Sequence, residues 1–361
     1  MLAPFGRMLG TPLNWLRQAV SPDSNPINME HTYEPSVLDV LVVKAMMNRA
    51  LGLPREVIDG IVDLAEYWPH TSTEVNYNGA KAVRGAIVGE EDAFLLRTVP
   101  LGFPKSPYPV AIAHTPETEA ATEPATTEPH PHIQAPMPQA PQAPRPLPDF
   151  QTPPPPKPVE QEYPIEVLQR LINSPNDNLE HPCRKIVFTI KSCDQGWGGQ
   201  AIHQGTYHGS CTWFEAGLER CSKPETSEQA PDAPEPLFTS SALATVYPEV
   251  VRDPATNRNM FYHPLHARDT LKIQCNRTAD GHLREHRVVW SYTDDIKFDA
   301  DGATSPEVTA LDDAGRGRAT ADGTFVRSLK LGDVVTVWAF ARFPGWLNLI
   351  ERVKVDIYWA I

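Results

Sequence analysis

The sequence predicts a mainly β protein in which a C-terminal antiparallel β-sandwich is joined by a proline-rich linker to a small helical unit. Three observations lead to this fold class. The chain ends in a strict alternation of apolar and polar residues from Val353 to Ile361, which places one apolar row on one face of a strand. Several more short strand patterns lie between turn-rich connections. Of the 38 prolines, 18 lie between Pro104 and Pro158.

The proline distribution divides the chain into regions. A segment so rich in proline buries too little apolar surface to offset the entropy lost on ordering. We therefore expect a disordered linker at 104–160, partly in polyproline-II conformation. The other predicted regions are a flexible N-terminus at 1–33, the small helical unit at 34–103, and the sandwich at 161–361 with a flexible insertion near 222–236.

Two helices are predicted in the small unit. The first runs from about Ser36 to Ala50 and is apolar around much of its circumference, so it needs cover on more than one side. The second begins at Leu53 and ends after Trp68, because Pro69 follows. Its predicted apolar stripe consists of Val57, Ile58, Ile61, Leu64, Ala65 and Trp68. A helix pair this small is marginal alone, so we expect it to need another partner surface.

The rest of the chain reads mostly as strands. Short extended pieces between Val75 and Leu101 are expected to pack on the helices or on the C-terminal domain. A short helix is predicted at 163–172, and 298–323 is predicted as a loop. About seven strands are expected, and their predicted segments are 184–192, 205–218, 271–275, 287–292, 324–329, 334–341 and 353–361.

The composition of the chain predicts its cellular location and excludes two classes of partner. The net charge of −13 repels phosphate backbones, so we predict no nucleic-acid partner. No apolar run approaches the roughly 18 residues that span a bilayer, so no membrane partner is predicted. Five cysteines in no C-x-x-C spacing indicate reduced thiols and a cytoplasmic or nuclear location. One disulfide remains open, because segments around Cys183/Cys193 and Cys211/Cys221 could be paired strands.

The first candidate site follows the strand that ends near Ser192. Asp194 and Gln195 stand beside Trp197, in a stretch whose glycines permit unusual backbone angles. A polar residue next to an exposed tryptophan suits stacking on, and hydrogen bonding to, a sugar or a peptide. The alternative is a hairpin loop whose Trp197 only caps the sandwich.

The second candidate site is the aromatic turn from Phe343 to Asn348, between the last two predicted strands. Loops at the end of a sandwich often carry binding residues. Trp346 would be an anchor on the surface, whereas in the core it would be only a lid. The candidate ligand-binding residues are therefore Asp194, Gln195, Trp197, Phe343, Trp346 and Asn348.

Catalytic and metal chemistry have little support in the sequence. The motifs G-x-S-x-G and H-E-x-x-H, the kinase set and the dinucleotide fingerprint are all missing. His208 and Cys211 are three residues apart, which on a strand puts them on opposite faces. No Cys or carboxylate completes a metal-ligand spacing around His263 and His266. We therefore predict no enzyme activity, no metal site and no cofactor.

Two segments carry family resemblances. Leu53–Ile58, with the sequence LPREVI, resembles the opening of an F-box, which implies an adaptor that delivers substrates to a ubiquitin ligase. The C-terminal part resembles sandwiches of the F-box-associated, galactose-binding or jelly-roll kind. The chain is also similar to uncharacterised fungal proteins that pair an L-P-x-E-V-I-D helix with a W-x-x-A-R-F-P-G-W strand. Here these segments are Leu53–Asp59 and Trp338–Trp346, and this likeness implies no activity.

The function expected from these features is recognition without catalysis. In the first hypothesis, the sandwich binds a protein or glycan partner through Trp197 and Trp346, while the helical unit binds a second partner. In the second, the chain is a scaffold whose proline-rich linker is itself the ligand. In the third, the chain is an enzyme of unrecognised type. Exposed tryptophans would favour the first hypothesis over the second, and a deep pocket with perturbed His or Asp would favour the third.

Overall fold

The protein is described by a computed structural model, which covers residues 34–85, 92–103, 163–164, 180–221, 237–238, 243–252, 259–262, 271–297 and 305–361. The predicted linker at 104–160, the N-terminus at 1–33 and the insertion near 222–236 lie outside these residues, as do His263 and His266. Within the described chain, no helix has the length and apolar character needed to cross a bilayer.

Four helices and thirteen strands occur among the described residues. The helices are α1 (Val37–Leu51), α2 (Arg55–Leu64), α3 (Pro306–Asp313) and α4 (Thr324–Ser328). The longer strands are β1 (His70–Arg84), β2 (Asp92–Arg97), β4 (Cys183–Cys193), β5 (Thr212–Cys221), β11 (Arg284–Ser291), β12 (Val334–Ala341) and β13 (Leu347–Trp359). The shorter strands are β3 (Tyr163–Pro164), β6 (Leu237–Phe238), β7 (Leu243–Tyr247), β8 (Glu249–Arg252), β9 (Asn259–Tyr262) and β10 (Lys272–Cys275).

Two antiparallel sheets form the body of the molecule, as the sequence predicts. The first has the order β1-β13-β4-β11, and the second has the order β10-β5-β12-β2 with β7 also paired to β5. Their inner faces share one core, to which the first sheet contributes Phe188 and Val355 and the second contributes Phe214 and Val337. The alternation that predicts the last strand is borne out, because Val353, Val355, Ile357 and Trp359 are all buried.

The region predicted as a small helical unit contributes a strand to each sheet. β1 pairs with β13 along most of its length, and β2 pairs with β12. Val83, Leu95 and Leu96 therefore belong to the same core as the C-terminal strands. The prediction left open whether the extended pieces pack on the helices or on the C-terminal domain, and the structure shows them as edge strands of the sandwich.

The two helices dock on one end of the sandwich. Ser36 and Asp39 form a capping box at the start of α1, and Gly52 ends the helix in the left-handed conformation at φ 61°. Val40 packs with Ile58 and Val62 of α2 in a small cluster beside the sheets. The pair thus obtains its core by sharing the end of the sandwich, which is the partner surface that the sequence requires.

Several predicted element boundaries are wrong. α2 ends at Leu64, so Trp68 lies beyond the helix, and Leu64 is almost fully exposed while Val62 takes the buried position. The segment 324–329 is helix α4 instead of a strand, and the predicted loop 298–323 contains α3. Residues 205–211 form turns before β5. The two described residues of the helix predicted at 163–172 are strand β3.

Candidate functional site

Three connections meet at the end of the sandwich that lies opposite α1 and α2. They are residues 194–211 between β4 and β5, 276–283 between β10 and β11, and 342–346 between β12 and β13. We call these three connections the rim. Antiparallel pairing brings them together, since Cys193 lies opposite Leu349 and Ala341 lies opposite Thr212. Both candidate loops of the sequence therefore belong to one surface.

A buried amide network supports the rim from below. The Asn276 side-chain Nδ2 donates to Asn348 Oδ1 at 2.9 Å and to Thr212 Oγ1 at 3.1 Å. Asn276 Oδ1 accepts from the Ser192 hydroxyl at 2.7 Å, and Asn348 Nδ2 donates to the carbonyl of Phe340 at 3.1 Å. Buried polar groups that are satisfied in this way rigidify the structure around them. The network ties together the strand ends from which the rim emerges.

Asn348 thus holds the rim and does not meet a ligand, because it is fully buried. The sequence places it among the ligand-binding residues on the strength of its position after the aromatic turn. Its real partner, Asn276, is 72 residues away in the chain, so no local pattern reveals the contact. Burial also makes Asn276 inaccessible, although it is the first residue of an N-R-T glycosylation sequon.

Asp194 is likewise an internal residue. Its carboxylate accepts from the backbone N–H of Gly196 at 2.7 Å and from that of Ala279 at 2.6 Å, so it joins two connections of the rim. Burial raises the pKa of Asp194, against the opposing effect of these backbone hydrogen bonds. The side chain has no exposed surface, and its role is to fix the turn that carries Trp197.

Both polar atoms of the Gln195 side-chain amide form hydrogen bonds within the rim. Its Oε1 accepts from the backbone N–H of Leu347 at 3.0 Å, and its Nε2 donates to the carbonyl of Trp197 at 2.5 Å. The side chain therefore connects the β4–β5 connection to the start of β13. Three of the six predicted ligand-binding residues therefore bond to other groups of the protein: Asp194 and Asn348, which are buried, and Gln195, which is half-buried.

The two rim tryptophans pack against each other's loops. A methyl group placed on Gly345 would lie 3.2 Å from Cη2 of Trp197, and one placed on Gly199 would lie 3.7 Å from Cη2 of Trp346. Each indole thus rests beside a glycine of the other connection, where a side chain would intrude. Trp346 is half-buried in this arrangement, which is intermediate between the surface and core positions that the sequence left open.

Trp197 and Phe343 are the aromatic side chains that the rim presents to solvent. Trp197 is 64% exposed and Phe343 is 39% exposed. Phe343 has φ 67°, a left-handed conformation that costs a bulky residue roughly 1–3 kcal/mol. Two aliphatic residues of the rim, Ile202 and Leu283, are also exposed. The rim thus exposes four large apolar side chains, beside exposed polar residues that include Gln200, Gln204 and His282.

Asp280 and His208 of the rim each lie beside a side chain of opposite character. The carboxylate of Asp280 lies 2.8 Å from Arg284 Nε and 2.8 Å from His282 Nδ1. Burial alone would raise the pKa of Asp280, but the hydrogen bonds from Arg284 and His282 lower it to about 2. His208 meets Asp313 at 2.8 Å in an exposed contact. Arg277, on the same connection as Asp280, forms none of the ion pairs among the described residues, and its guanidinium lies 5.4 Å from the ring centre of Tyr207.

The rim offers little to nucleophilic or metal chemistry. Burial raises the pKa of the Cys211 thiol to about 12, and a neutral thiol is a poor nucleophile. Among the described residues, no three His, Cys, Asp or Glu side chains gather closely enough to hold a metal ion. The described cysteines whose side chains are placed form no disulfide, as the prediction of reduced thiols expects. They are Cys183, Cys193, Cys211 and Cys275.

A cavity of about 370 Å³ lies at the other end of the sandwich, between the helices and the sheets. Among its lining residues, Lys44 pairs with Asp59 at 2.6 Å and Arg184 pairs with Asp63 at 2.9 Å. The first pair joins α1 to α2, and the second joins α2 to β4. These charges therefore hold the two helices to each other and to the first sheet.

Comparison with protein-family models, with curated proteins and with solved structures found no match. The resemblances to F-box and fungal families therefore stay predictions from the sequence.

Proposed function

We propose that this chain is a non-enzymatic recognition protein that binds a protein partner through Trp197 and Phe343 of the rim. The observation that carries the proposal is the exposure of these two aromatic rings on a base held by buried hydrogen bonds. Tryptophan and other aromatic residues supply much of the energy of protein interfaces. A rigid base adds to affinity because little conformational freedom is lost when the partner binds.

The rim fits a protein partner better than a glycan. Sugar hydroxyls require polar side chains that are free to accept and donate beside the aromatic ring. Here Asp194 and Gln195, the polar neighbours of Trp197, already bond to backbone groups of the rim. The exposed apolar side chains of the rim, Trp197, Ile202 and Phe343, suit an apolar or aromatic patch on another protein.

Strain at Phe343 supports the same conclusion. A bulky side chain at positive φ is uncommon, and such conformations cluster at sites where function requires them. The backbone of Phe343 is held by its neighbours, since its carbonyl accepts from Trp346 N–H at 3.3 Å. Buried Arg342 next to it donates to the carbonyl of Ala341 at 3.1 Å. The fold thus keeps an aromatic ring at the surface in a conformation that costs energy.

The experiment is affinity enrichment from cell extract with the full chain and three variants. Trp197→Ala and Phe343→Ala each remove one exposed ring, and Val246→Ala removes a half-exposed aliphatic side chain elsewhere on the second sheet. We expect each rim variant to lose at least tenfold in captured partner, which corresponds to about 1.4 kcal/mol. The Val246→Ala protein should capture as much partner as the unaltered chain.

Melting temperatures separate binding from folding. The two rim side chains are exposed, so Trp197→Ala and Phe343→Ala should melt within a few degrees of the unaltered protein. Loss of capture together with a collapse of the melting temperature would reject the proposal. Capture that disappears after enzymatic deglycosylation of the extract would replace it with glycan recognition.

A further inference from the structure

The outer face of α1 is an apolar stripe exposed to solvent. Leu38, Leu41, Val42, Ala45 and Met46 recur at spacings of three, four, seven and eight residues and are all exposed, with Leu38 at 68% and Met46 at 63%. Residues at these spacings share one side of a helix. We call these five residues the α1 stripe.

The opposite side of α1 is the one that packs on the protein. Val40 is buried there with Ile58, Val62 and Trp68. A helix that is apolar on two sides calls for cover on both, and no described residue buries the α1 stripe. The neighbouring helix adds three exposed apolar residues at i, i+4 and i+7, which are Val57, Ile61 and Leu64.

We propose that the α1 stripe is the interface between two copies of this chain, with α1 packed antiparallel on α1 of the second copy about a two-fold axis. A self-complementary patch of this kind is the usual basis of a homodimer. The axis passes between Val43 and Lys44 along α1. Leu41 then faces Met46 of the second copy, and Val42 faces Ala45, whose small side chain lets the helices approach to about 8–10 Å.

The charges at the ends of α1 favour the antiparallel orientation. Asp39 lies in the first turn and Arg49 in the last. The antiparallel pair brings the basic last turn of one α1 beside the acidic first turn of the other and opposes the two helix dipoles. Arg49 is exposed and forms none of the ion pairs found among the described residues, so it is available for this contact.

The amount of exposed apolar surface fits a stable dimer. Eight large apolar side chains of α1 and α2 expose between 37% and 89% of their surface. Only four of them belong to the α1 stripe. With Val57, Ile61 and Leu64 of α2 buried beside the stripe, the covered surface approaches the roughly 800 Å² that each partner contributes to a standard interface. Monomers seldom leave so large an apolar patch in water.

A dimer through the α1 stripe leaves both rims free. The helices dock beside the Cys183 end of β4, whereas the rim begins after its Cys193 end. Those 11 residues separate the two surfaces by roughly 35 Å. The dimer would present two rims, which raises apparent affinity for any multivalent partner.

The test is the mass of the full-length protein in solution, measured by sedimentation velocity across micromolar concentrations. We expect a dimer for the unaltered chain and a monomer for the Leu41→Glu/Met46→Glu variant, whose new charges would be buried in the interface. The matched control is Ile202→Glu, which places a charge on an 80% exposed rim residue and should leave the dimer intact. Because all three side chains are exposed, the melting temperature of each monomer unit should change little.

The orientation has its own test. About this axis Leu38 faces Arg49 of the second copy, whereas two copies of either residue lie roughly 16 Å apart along the helices. Proteins carrying Leu38→Cys and Arg49→Cys are therefore mixed and treated with a short bis-maleimide, with the unaltered chain as background. The antiparallel model predicts a link between the two different variants and none between identical ones. A monomeric unaltered protein at about 100 μM, or a Leu41→Glu/Met46→Glu variant that stays dimeric, would overturn the interface. Links between identical variants would overturn the antiparallel packing.

Discussion

At the scale of single residues, the rim depends on small groups placed where nothing larger fits. Gly199 has φ 69°, and a methyl group there would lie 2.7 Å from Cγ2 of Thr278. Thr278 has no room to move, since it is buried and its hydroxyl donates to the carbonyl of His208 at 2.8 Å. The β4–β5 and β10–β11 connections can therefore approach this closely only because residue 199 is a glycine.

We predict that Gly199→Ala destabilises the protein more than Gly205→Ala does. Gly205 has a similar φ of 74° but open space around it, so an alanine there costs only the left-handed conformation, about 1–2 kcal/mol. Gly199→Ala adds overpacking against Thr278, a further 1–3 kcal/mol or so. Urea unfolding of both variants measures the difference. Equal losses would mean that Gly199 does not govern the contact between the connections.

A second residue-scale prediction concerns acid stability. Burial, with a smaller effect of Arg277 and Arg284, lowers the pKa of His286 to about 4. The unfolded chain binds a proton near pH 6.5 and the folded chain does not, so this residue stabilises the fold fully above pH 6.5. The contribution is lost as the pH falls from 6.5 to about 4. At about 1.4 kcal/mol for each pKa unit between 6.5 and 4, it amounts to about 3 kcal/mol.

The measurement is urea unfolding of the unaltered protein and of His286→Gln between pH 4 and pH 7.5. The difference between the two free energies of unfolding should be largest at the upper end of this range and shrink on acidification. A difference that is independent of pH would show that His286 titrates alike in the folded and unfolded chains.

At the scale of elements, one buried ion pair attaches the helices to the sandwich. Arg184 at the start of β4 bonds to Asp63 of α2 through two parallel contacts of 3.0 and 2.9 Å. Trp68 Nε1 donates to the same carboxylate at 2.8 Å, and the guanidinium lies 4.6 Å from the ring centre of Tyr292. Bidentate pairs of this kind fix geometry as well as adding energy.

We predict that Arg184→Ala loosens the helices and leaves the sheets intact. Removing one partner of a buried pair costs several kcal/mol, and the partial exposure of Asp63 reduces this to about 2–3 kcal/mol. Hydrogen exchange should accelerate across α1 and α2 and stay slow in β4 and β13. Lys191→Ala is the control, since its pair with Glu351 is well exposed and contributes less than about 1 kcal/mol. Similar exchange in both variants would contradict this role.

Strands with a clear period could be predicted from the sequence. β4 and β13 bury every second residue along most of their length, so their pattern survives in the fold. α4 could not be predicted, because its five residues are held by distant groups. Arg327 donates to the carbonyl of Tyr292 at 2.6 Å and to that of Asp294 at 3.1 Å. Such tertiary bonds override the strand preference of Phe325 and Val326.

The sequence predicts which loops form the candidate site, but not which of their side chains are exposed. Loops at a sandwich end and their aromatic residues are visible in the chain, and the structure brings both loops together. Which side chains face solvent depends on partners far away in sequence. Asp194 is buried by its bond to Ala279, 85 residues on. Trp197 lies against Gly345 of the distant β12–β13 connection and is still 64% exposed.

At the scale of the whole molecule, two exposed apolar surfaces lie at opposite ends of one sandwich. The rim carries Trp197 and Phe343, and the helical end carries the α1 stripe. The sheets between them share a single core, so the distance between the two surfaces is fixed. In this account one end joins two copies and the other end binds the partner, and neither function requires a reactive group.

The most direct test of partner binding at the rim is site-specific photo-crosslinking. A benzoyl-phenylalanine replaces Phe343 in the full-length chain, and in a control protein it replaces Arg287, an exposed residue of β11 on the outer sheet face. We predict that position 343 links covalently to a protein partner that position 287 does not reach. The same products from both positions, or no protein linked at 343, would contradict the account.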